Sequence, residues 1–210
     1  HRNLARIYVL GEFAAIWKRA RLPALRFVIS DRAPTAPRPS FSGFVEAAVG
    51  RDTNVNSATS ALHIACLALD LGPGDWLWTT PNTFVASANC ALYCGAQVDF
   101  VDTDPRTYNL CPLKLEAKLV EAEKTGTLPK IVIPVHLTGQ PCDMAAIHAL
   151  SLKYGFKIIE DASHAIGGKY KGEPIGNGRY SDITVFSFHP VKIITTAEGG
   201  MATTNNDELA

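Results

Sequence analysis

Three consecutive segments decide the fold: Lys130-Ile131-Val132-Ile133-Pro134-Val135, then 144–154 preceded by Asp143, then Phe156-Lys157-Ile158-Ile159-Glu160 with Asp161 at its end. The two outer segments are short and nearly continuous in apolar, β-branched residues, the composition of strands buried on both faces. The middle segment is long enough for three helical turns, and Asp143 stands where an N-cap carboxylate accepts the first free amides. Strand, helix and strand in this order build a parallel sheet with helices against its faces.

The alternation extends outward in both directions. Strands are expected at 53–55, 76–79, 97–101, 130–135, 156–160, 183–188 and 200–204, and helices at 59–71, 84–94, 112–124 and 144–154. In the first helix Leu62, Ala65 and Leu69 recur at spacings of 3 and 4, and Gly72-Pro73-Gly74 reads as its stop. The expected class is α/β, a doubly wound layer.

Composition agrees. The chain has 210 residues, 47% of them hydrophobic, and a net charge of zero. That excludes a disordered or fibrous chain, and no run of 18 apolar residues offers a transmembrane helix. A neutral total argues against nucleic acid as a partner. The charge is unevenly spread, however. Residues 1–40 hold eight Lys/Arg against Glu12 and Asp31, with Pro23, Pro34, Pro37 and Pro39 interrupting any helix. This stretch has too little serine for a transit peptide, and it reads as a disordered or artefactual leader rather than a basic arm for an anionic partner. The chain starts at His1 and stops in polar residues, which reads as a fragment. Cys66, Cys90, Cys94, Cys111 and Cys142 contain no CxxC pair. They read as reduced core thiols of a cytoplasmic protein, with no metal site.

Ligands of such sheets sit beyond the carboxyl ends of the strands, and three polar clusters fall there. Asn56-Ser57-Ala58-Thr59-Ser60 opens a helix, whose free N–H groups and dipole attract an anion; a plain N-cap is the alternative. GxGxxG and GxxxxGK[ST] are both missing, so a phosphate bound here belongs to another kind of cofactor. Asp161 lies at the rim of an apolar layer, where a carboxylate needs a cation or donors. A protonated ring nitrogen of pyridoxal phosphate is one such partner; capping of 162–166 is the other reading. Ser187, His189 and Lys192 follow the sixth strand and lead into Thr195-Thr196-Ala197-Glu198-Gly199-Gly200. An enclosed lysine there acts as a nucleophile toward an aldehyde, whereas an arbitrary lysine is a solvated charge.

The motifs NSATSAL (56–62), TPNTFVASAN (80–89), GAQVDFVDTDPRTYN (95–109), IVIPVHLTGQPCDM (131–144), IIEDASHAIGGKYKG (158–172) and FSFHPVKIITTAEGG (186–200) together resemble the DegT/DnrJ/EryC1/StrS family of nucleotide-sugar aminotransferases. The resemblance implies the large domain of a fold type I pyridoxal-phosphate enzyme, a mostly parallel seven-stranded sheet with helices on both faces, spanning 41–210. The family's smaller C-terminal domain is not in this sequence, and residues 1–40 do not resemble the family's N-terminal segment.

Carried over by position, Lys192 is similar to the lysine that holds the cofactor as a Schiff base and then shuttles a proton. Asp161 is similar to the carboxylate on the pyridine nitrogen, and Phe84 to the aromatic on the ring. Ala58, Thr59 and Ser187 match phosphate contacts, and His164 stands beside the ring's 3′-oxygen. The implied reaction moves an amino group, with glutamate as donor, to a 4-keto sugar carried on a nucleotide, in a homodimer. The loop 187–200 looks most like the branch that makes UDP-4-amino-4,6-dideoxy-N-acetyl-β-L-altrosamine, towards pseudaminic acid. The alternatives are a transaminase for another nucleotide 3- or 4-keto sugar and an inactive α/β fragment.

Overall fold

Seven strands form one sheet in the computed structural model, which describes residues 51–209; the leader expected at 1–40 lies outside the described residues. In chain order the main elements are β1 (Arg51–Val55), α1 (Ala58–Ala68), β2 (Trp76–Thr79), α2 (Ala86–Tyr93), β3 (Gln97–Phe100), α3 (Pro112–Thr125), β4 (Ile131–Val132), α4 (Met144–Tyr154) and β5 (Lys157–Asp161). A small hairpin, β6 (Lys169–Tyr170) and β7 (Glu173–Pro174), precedes β8 (Ile183–Ser187) and β9 (Gly200–Thr204). The sheet order is β1-β9-β8-β5-β4-β2-β3. Only β9 runs against the others, pairing antiparallel with both β8 and β1, while β3, β2, β4, β5 and β8 pair in parallel.

Alternate side chains of each strand leave the sheet on opposite faces, and two cores result. Leu77, Ile131, Ile133, Ile159 and Val185 pack with Ala61, Leu62, Ala65 and Cys66 of α1 and Cys90 and Ala91 of α2. Trp78, Val132 and Ile158 pack on the other face with Leu115 and Leu119 of α3 and Met144, Ile147 and Leu150 of α4. This is why the strands read as continuous apolar runs. From β2 the chain crosses to β3 on one side, whereas β4 lies on the other side of β2. The order therefore reverses between β2 and β4, and in open α/β sheets ligands bind beyond the carboxyl ends of the strands at such a reversal.

Three local expectations are corrected. The first helix ends at Ala68 rather than 71: Asp70 takes a left-handed φ of 55°, and Leu71 N–H and Asp70 N–H return to the carbonyls of Cys66 and Leu67. This is a Schellman stop made two residues before Gly72. The second helix starts at Ala86, so Phe84 lies in the turn ahead of it and not on the helix. The strand expected at 130–135 is ladder-paired only at Ile131–Val132, because Pro134 has no N–H to offer; pairing resumes as a single bridge between Val135 and Asp161. The hairpin at 169–174 was absent from the expected elements. The N-cap role of Asp143 is observed, its side chain accepting from Ala146 N–H.

Candidate active site

The carboxyl end of the sheet gathers the three polar clusters. Asp161 closes β5 and is 4% exposed. One carboxylate oxygen accepts from Ser87 Oγ at 2.7 Å, the other from Ser163 N–H at 3.1 Å. Ser87 comes from α2 on the same face, and its hydroxyl is 3.2 Å from Thr83 Oγ1. Among the described residues no Lys or Arg forms an ion pair with Asp161. Its two donors fix its direction and leave its charge unmatched.

His164 follows in the turn after β5. Its Nδ1 accepts the Thr138 amide at 3.3 Å, so the ring proton belongs on Nε2. Burial, and then the nearby Lys192 charge, hold His164 below the ordinary histidine value, with Asp161 opposing them. The ring is therefore neutral near pH 7. The sign of the linkage follows: the unfolded chain binds this proton more readily, so the stability owed to neutral His164 is present above pH 6.5 and is lost as pH falls through the lower folded value. The wild-type chain is expected to lose more stability than His164→Gln between pH 8 and pH 5, read as the shift in urea midpoint.

Lys192 stands on a loop closed at its neck. Phe188 N–H donates to Gly199 O at 2.9 Å, and Phe188 O accepts Thr196 N–H and Thr195 Oγ1, each at 3.0 Å. Ala197 takes a left-handed φ of 68°, with its N–H on Thr195 Oγ1 at 3.0 Å. The loop brings Lys192 close enough to His164 to lower its proton affinity. Lys192 itself is half-buried, and its Nζ makes no hydrogen bond or ion pair among the described residues.

The anion end is built around Gly200, which pairs with Val55 of β1 on one side and Ser187 of β8 on the other. A Cβ on Gly200 would come within 2.3 Å of Ser57 C and 2.4 Å of Ala58 N; only glycine lets β9 pass under the start of α1. Ser57 caps this helix by accepting Ser60 N–H at 3.2 Å, and its carbonyl takes Ala61 N–H. The amides of Ala58 and Thr59 are thereby left for an anion. Ser187 is buried beside them and accepts His189 N–H at 3.4 Å, with its own hydroxyl proton still to donate. Gly200→Ala is expected to cost about 1–3 kcal/mol by overpacking against backbone and to weaken phosphate binding; urea titration with and without inorganic phosphate reads both.

Phe84 completes the set as a ring 69% exposed after the carboxyl end of β2, an apolar face offered to a ligand. All seven positions singled out in the sequence thus lie at one end of the sheet. Sequence reasoning missed Ser87 and Thr138, the residues that aim Asp161 and His164. Ser87 lies inside the quoted TPNTFVASAN motif, but nothing local ties it to a residue 74 positions away.

The family profile of the DegT/DnrJ/EryC1/StrS aminotransferases matches residues 40–210. The chain belongs to the DegT/DnrJ/EryC1/StrS aminotransferase family. Among the relatives of this chain, GDP-perosamine synthase of Caulobacter vibrioides is 46% identical over 155 residues, covering 74% of this chain and 40% of that protein. NtdA from Bacillus subtilis, solved with bound cofactor PMP, is 34% identical with a TM-score of 0.67, covering 76% of this chain and 34% of that one. Helicobacter pylori PseC, an aminotransferase involved in pseudoaminic acid biosynthesis, is 33% identical with a TM-score of 0.69, covering 77% of this chain and 42% of that one. The chain spans about two fifths of the length of the curated relatives it matches.

No helix among the described residues is long and apolar enough to cross a membrane, and no group of His, Cys, Asp or Glu among them is arranged to hold a metal ion. All five cysteines are free. Hydrogen bonding to Cys90 and burial push the Cys66 thiol far up, which makes it an inert core group.

Proposed function

We propose that this chain forms the cofactor-binding large domain, residues 41–210, of a pyridoxal-phosphate-dependent aminotransferase acting on a nucleotide-linked keto sugar. The observation that carries the reading is Asp161: a buried carboxylate at the carboxyl end of the sheet, held by two donors and matched by no cation among the described residues. Such a group calls for a partner bearing positive charge. The other residues fit the same cofactor. Ala58 and Thr59 offer amides and Ser187 a hydroxyl to a phosphate, Phe84 offers a ring face, and Lys192 offers an amine.

When bound, pyridoxal phosphate supplies an electrophilic aldehyde and a ring that withdraws electrons from the carbon next to the transferred nitrogen. The residues supply the rest. Asp161 would hold a protonated ring nitrogen by making the charged form favourable. His164 would donate from Nε2, its Nδ1 being occupied by Thr138. Phe84 would offer its ring to stack on the cofactor. Lys192 Nζ would supply the amine that holds the aldehyde and serve as an acid–base group. The amino donor is glutamate, the working form a homodimer, and the compartment the cytoplasm, where the five free thiols stay reduced.

The finer reading names the product as UDP-4-amino-4,6-dideoxy-N-acetyl-β-L-altrosamine. The loop 186–200 and the likeness to PseC support it; the higher identity to GDP-perosamine synthase favours a GDP-linked sugar instead. Amino transfer from glutamate to UDP-linked and GDP-linked 4-keto-6-deoxy sugars, assayed side by side, tests both levels. Turnover of the UDP substrate supports the finer reading, and turnover of the GDP substrate alone replaces it. If glutamate leaves the absorbance of the added cofactor unchanged and no sugar is aminated, the aminotransferase reading is wrong.

A further inference from the structure

Glu160 and His136 form a buried pair that the chemistry above does not use. Glu160 precedes Asp161 on β5 and so faces the opposite side of the sheet, towards Met144 and Tyr180. Its Oε2 lies 2.8 Å from His136 Nε2, and its Oε1 accepts from Ser181 Oγ, with Thr184 Oγ1 at 3.5 Å. His136 is 0% exposed and Glu160 5%. The contacts with Cys142 and Glu160 outweigh burial and raise His136 above the ordinary histidine value, yet the Cys142 amide, aimed at Nδ1, occupies the lone pair that a second ring proton would need. The Cys142 amide decides where the proton sits. It points its own hydrogen at Nδ1 from 3.1 Å, and the Cys142 thiol donates to Val135 O at 3.2 Å. The remaining ring proton is on Nε2 and goes to Glu160.

Such a pair is a poor source of stability, since apolar residues of similar volume serve as well or better. What it provides is a fixed loop, residues 136–142. The His136 amide donates to Asp161 O at 3.1 Å, and its ring closes the loop by taking the Cys142 amide. Asn109, buried, holds the middle: it accepts Leu137 N–H at 3.1 Å and donates to Gln140 O at 2.8 Å. Between these ties Thr138 is held at a left-handed φ of 56°, uncommon for a β-branched residue. Its amide is the one that reaches His164 Nδ1. Gly139, at φ 88°, lies against the same residue: a Cβ there would be 3.0 Å from His164 O.

We infer that His136, Glu160 and Asn109 are positioning residues, holding the 136–142 loop so that the Thr138 amide keeps His164 in its Nε2–H tautomer, ready to donate to a ligand at the carboxyl end of the sheet. The function of that donor rests on the reading of the site as a pyridoxal phosphate site; the loop's hold on the tautomer does not.

Histidine ¹³C and ¹⁵N shifts of the whole chain, without cofactor, test it, with His164 assigned by the signal lost in His164→Gln. Wild type is expected to show His164 as a single Nε2–H tautomer. Glu160→Leu removes the acceptor for His136 and is expected to give a mixture of both tautomers. Glu160→Gln keeps an acceptor oxygen and is expected to restore the single form, a rescue that mere loss of packing does not predict. If Glu160→Leu does not fold, Asn109→Ala loosens the same loop and leaves the buried His136–Glu160 pair in place, and the mixture is expected there. A wild-type His164 in the Nδ1–H form overturns the inference, as does an unchanged tautomer in a folded Asn109→Ala or Glu160→Leu chain. Borohydride capture of pyridoxal phosphate on the same samples separates the two readings. Capture at Lys192 with an unmoved tautomer discards the loop's role and keeps the site. A tautomer that responds in a chain that captures nothing discards the site and keeps the loop's hold on His164.

Discussion

Lys192→Ala is expected to abolish amino transfer in the protein that carries this chain, a fall of about 10⁴-fold or more. A positioned acid–base group alone contributes about 10²–10⁴-fold, and the proposed function also makes Lys192 the nucleophile. The loop closed at Phe188 and Gly199 places its amine near His164. Lys192→Arg is expected to fail as completely, since a guanidinium does not deprotonate to become a nucleophile. Folding is expected to survive both changes. Lys192 is half-buried and its Nζ is tied to nothing among the described residues, so stability should move by no more than about 0.5 kcal/mol, the range of substitutions away from packed or hydrogen-bonded features. Steady-state turnover with glutamate, beside thermal melting, separates the two effects. An inactive variant that melts like wild type is the expected result.

Asp161→Ala is the second large effect, for a different reason. Among the described residues this buried carboxylate, at the carboxyl end of the sheet, forms no ion pair with a Lys or Arg. Removing it takes away a preorganised electrostatic partner, which costs about 10²–10³-fold in comparable sites. It also strands Ser87 Oγ and the Ser163 amide, each of which now ends on a carboxylate oxygen. An unmade buried hydrogen bond costs about 1–3 kcal/mol, so this variant should lose stability as well as activity. Asp161→Asn separates the two: its carbonyl oxygen still accepts, so stability is largely kept, while the charge and the activity are lost. Turnover and urea midpoints of the two variants give the comparison.

The fold was legible because its strands are buried on both faces. Ile131-Val132 and Ile158-Ile159 send alternate side chains into two separate apolar layers, and that requirement writes itself as unbroken runs. Boundaries failed where the signal was conformational rather than compositional. The sequence pointed to Gly72 as the stop of α1, but Asp70 adopts the left-handed conformation first. The strand expected at 130–135 runs through Pro134, but its missing N–H confines the ladder to Ile131–Val132, and the chain re-enters the sheet only as a bridge at Val135.

The candidate site was legible to the extent that its residues end strands or begin helices. Asp161, Ser187, Ala58 and Thr59 are of this kind. The residues that aim them were not. Ser87 and Asp161 are joined only by the folding of α2 onto the sheet, and Thr138 reaches His164 through a loop whose ties run to Asn109, His136 and Glu160. Sequence spacing holds no trace of such contacts, because each of those residues also has an ordinary local role to fill.

Borohydride trapping of added pyridoxal phosphate, followed by peptide mapping, bears most directly on the claim that this site holds the cofactor through Lys192. In wild type one label is expected, on the peptide that contains Lys192, and in Lys192→Ala none. Labelling spread over surface lysines, with the same map in both proteins, would show that the site at the carboxyl end of the sheet does not bind this cofactor.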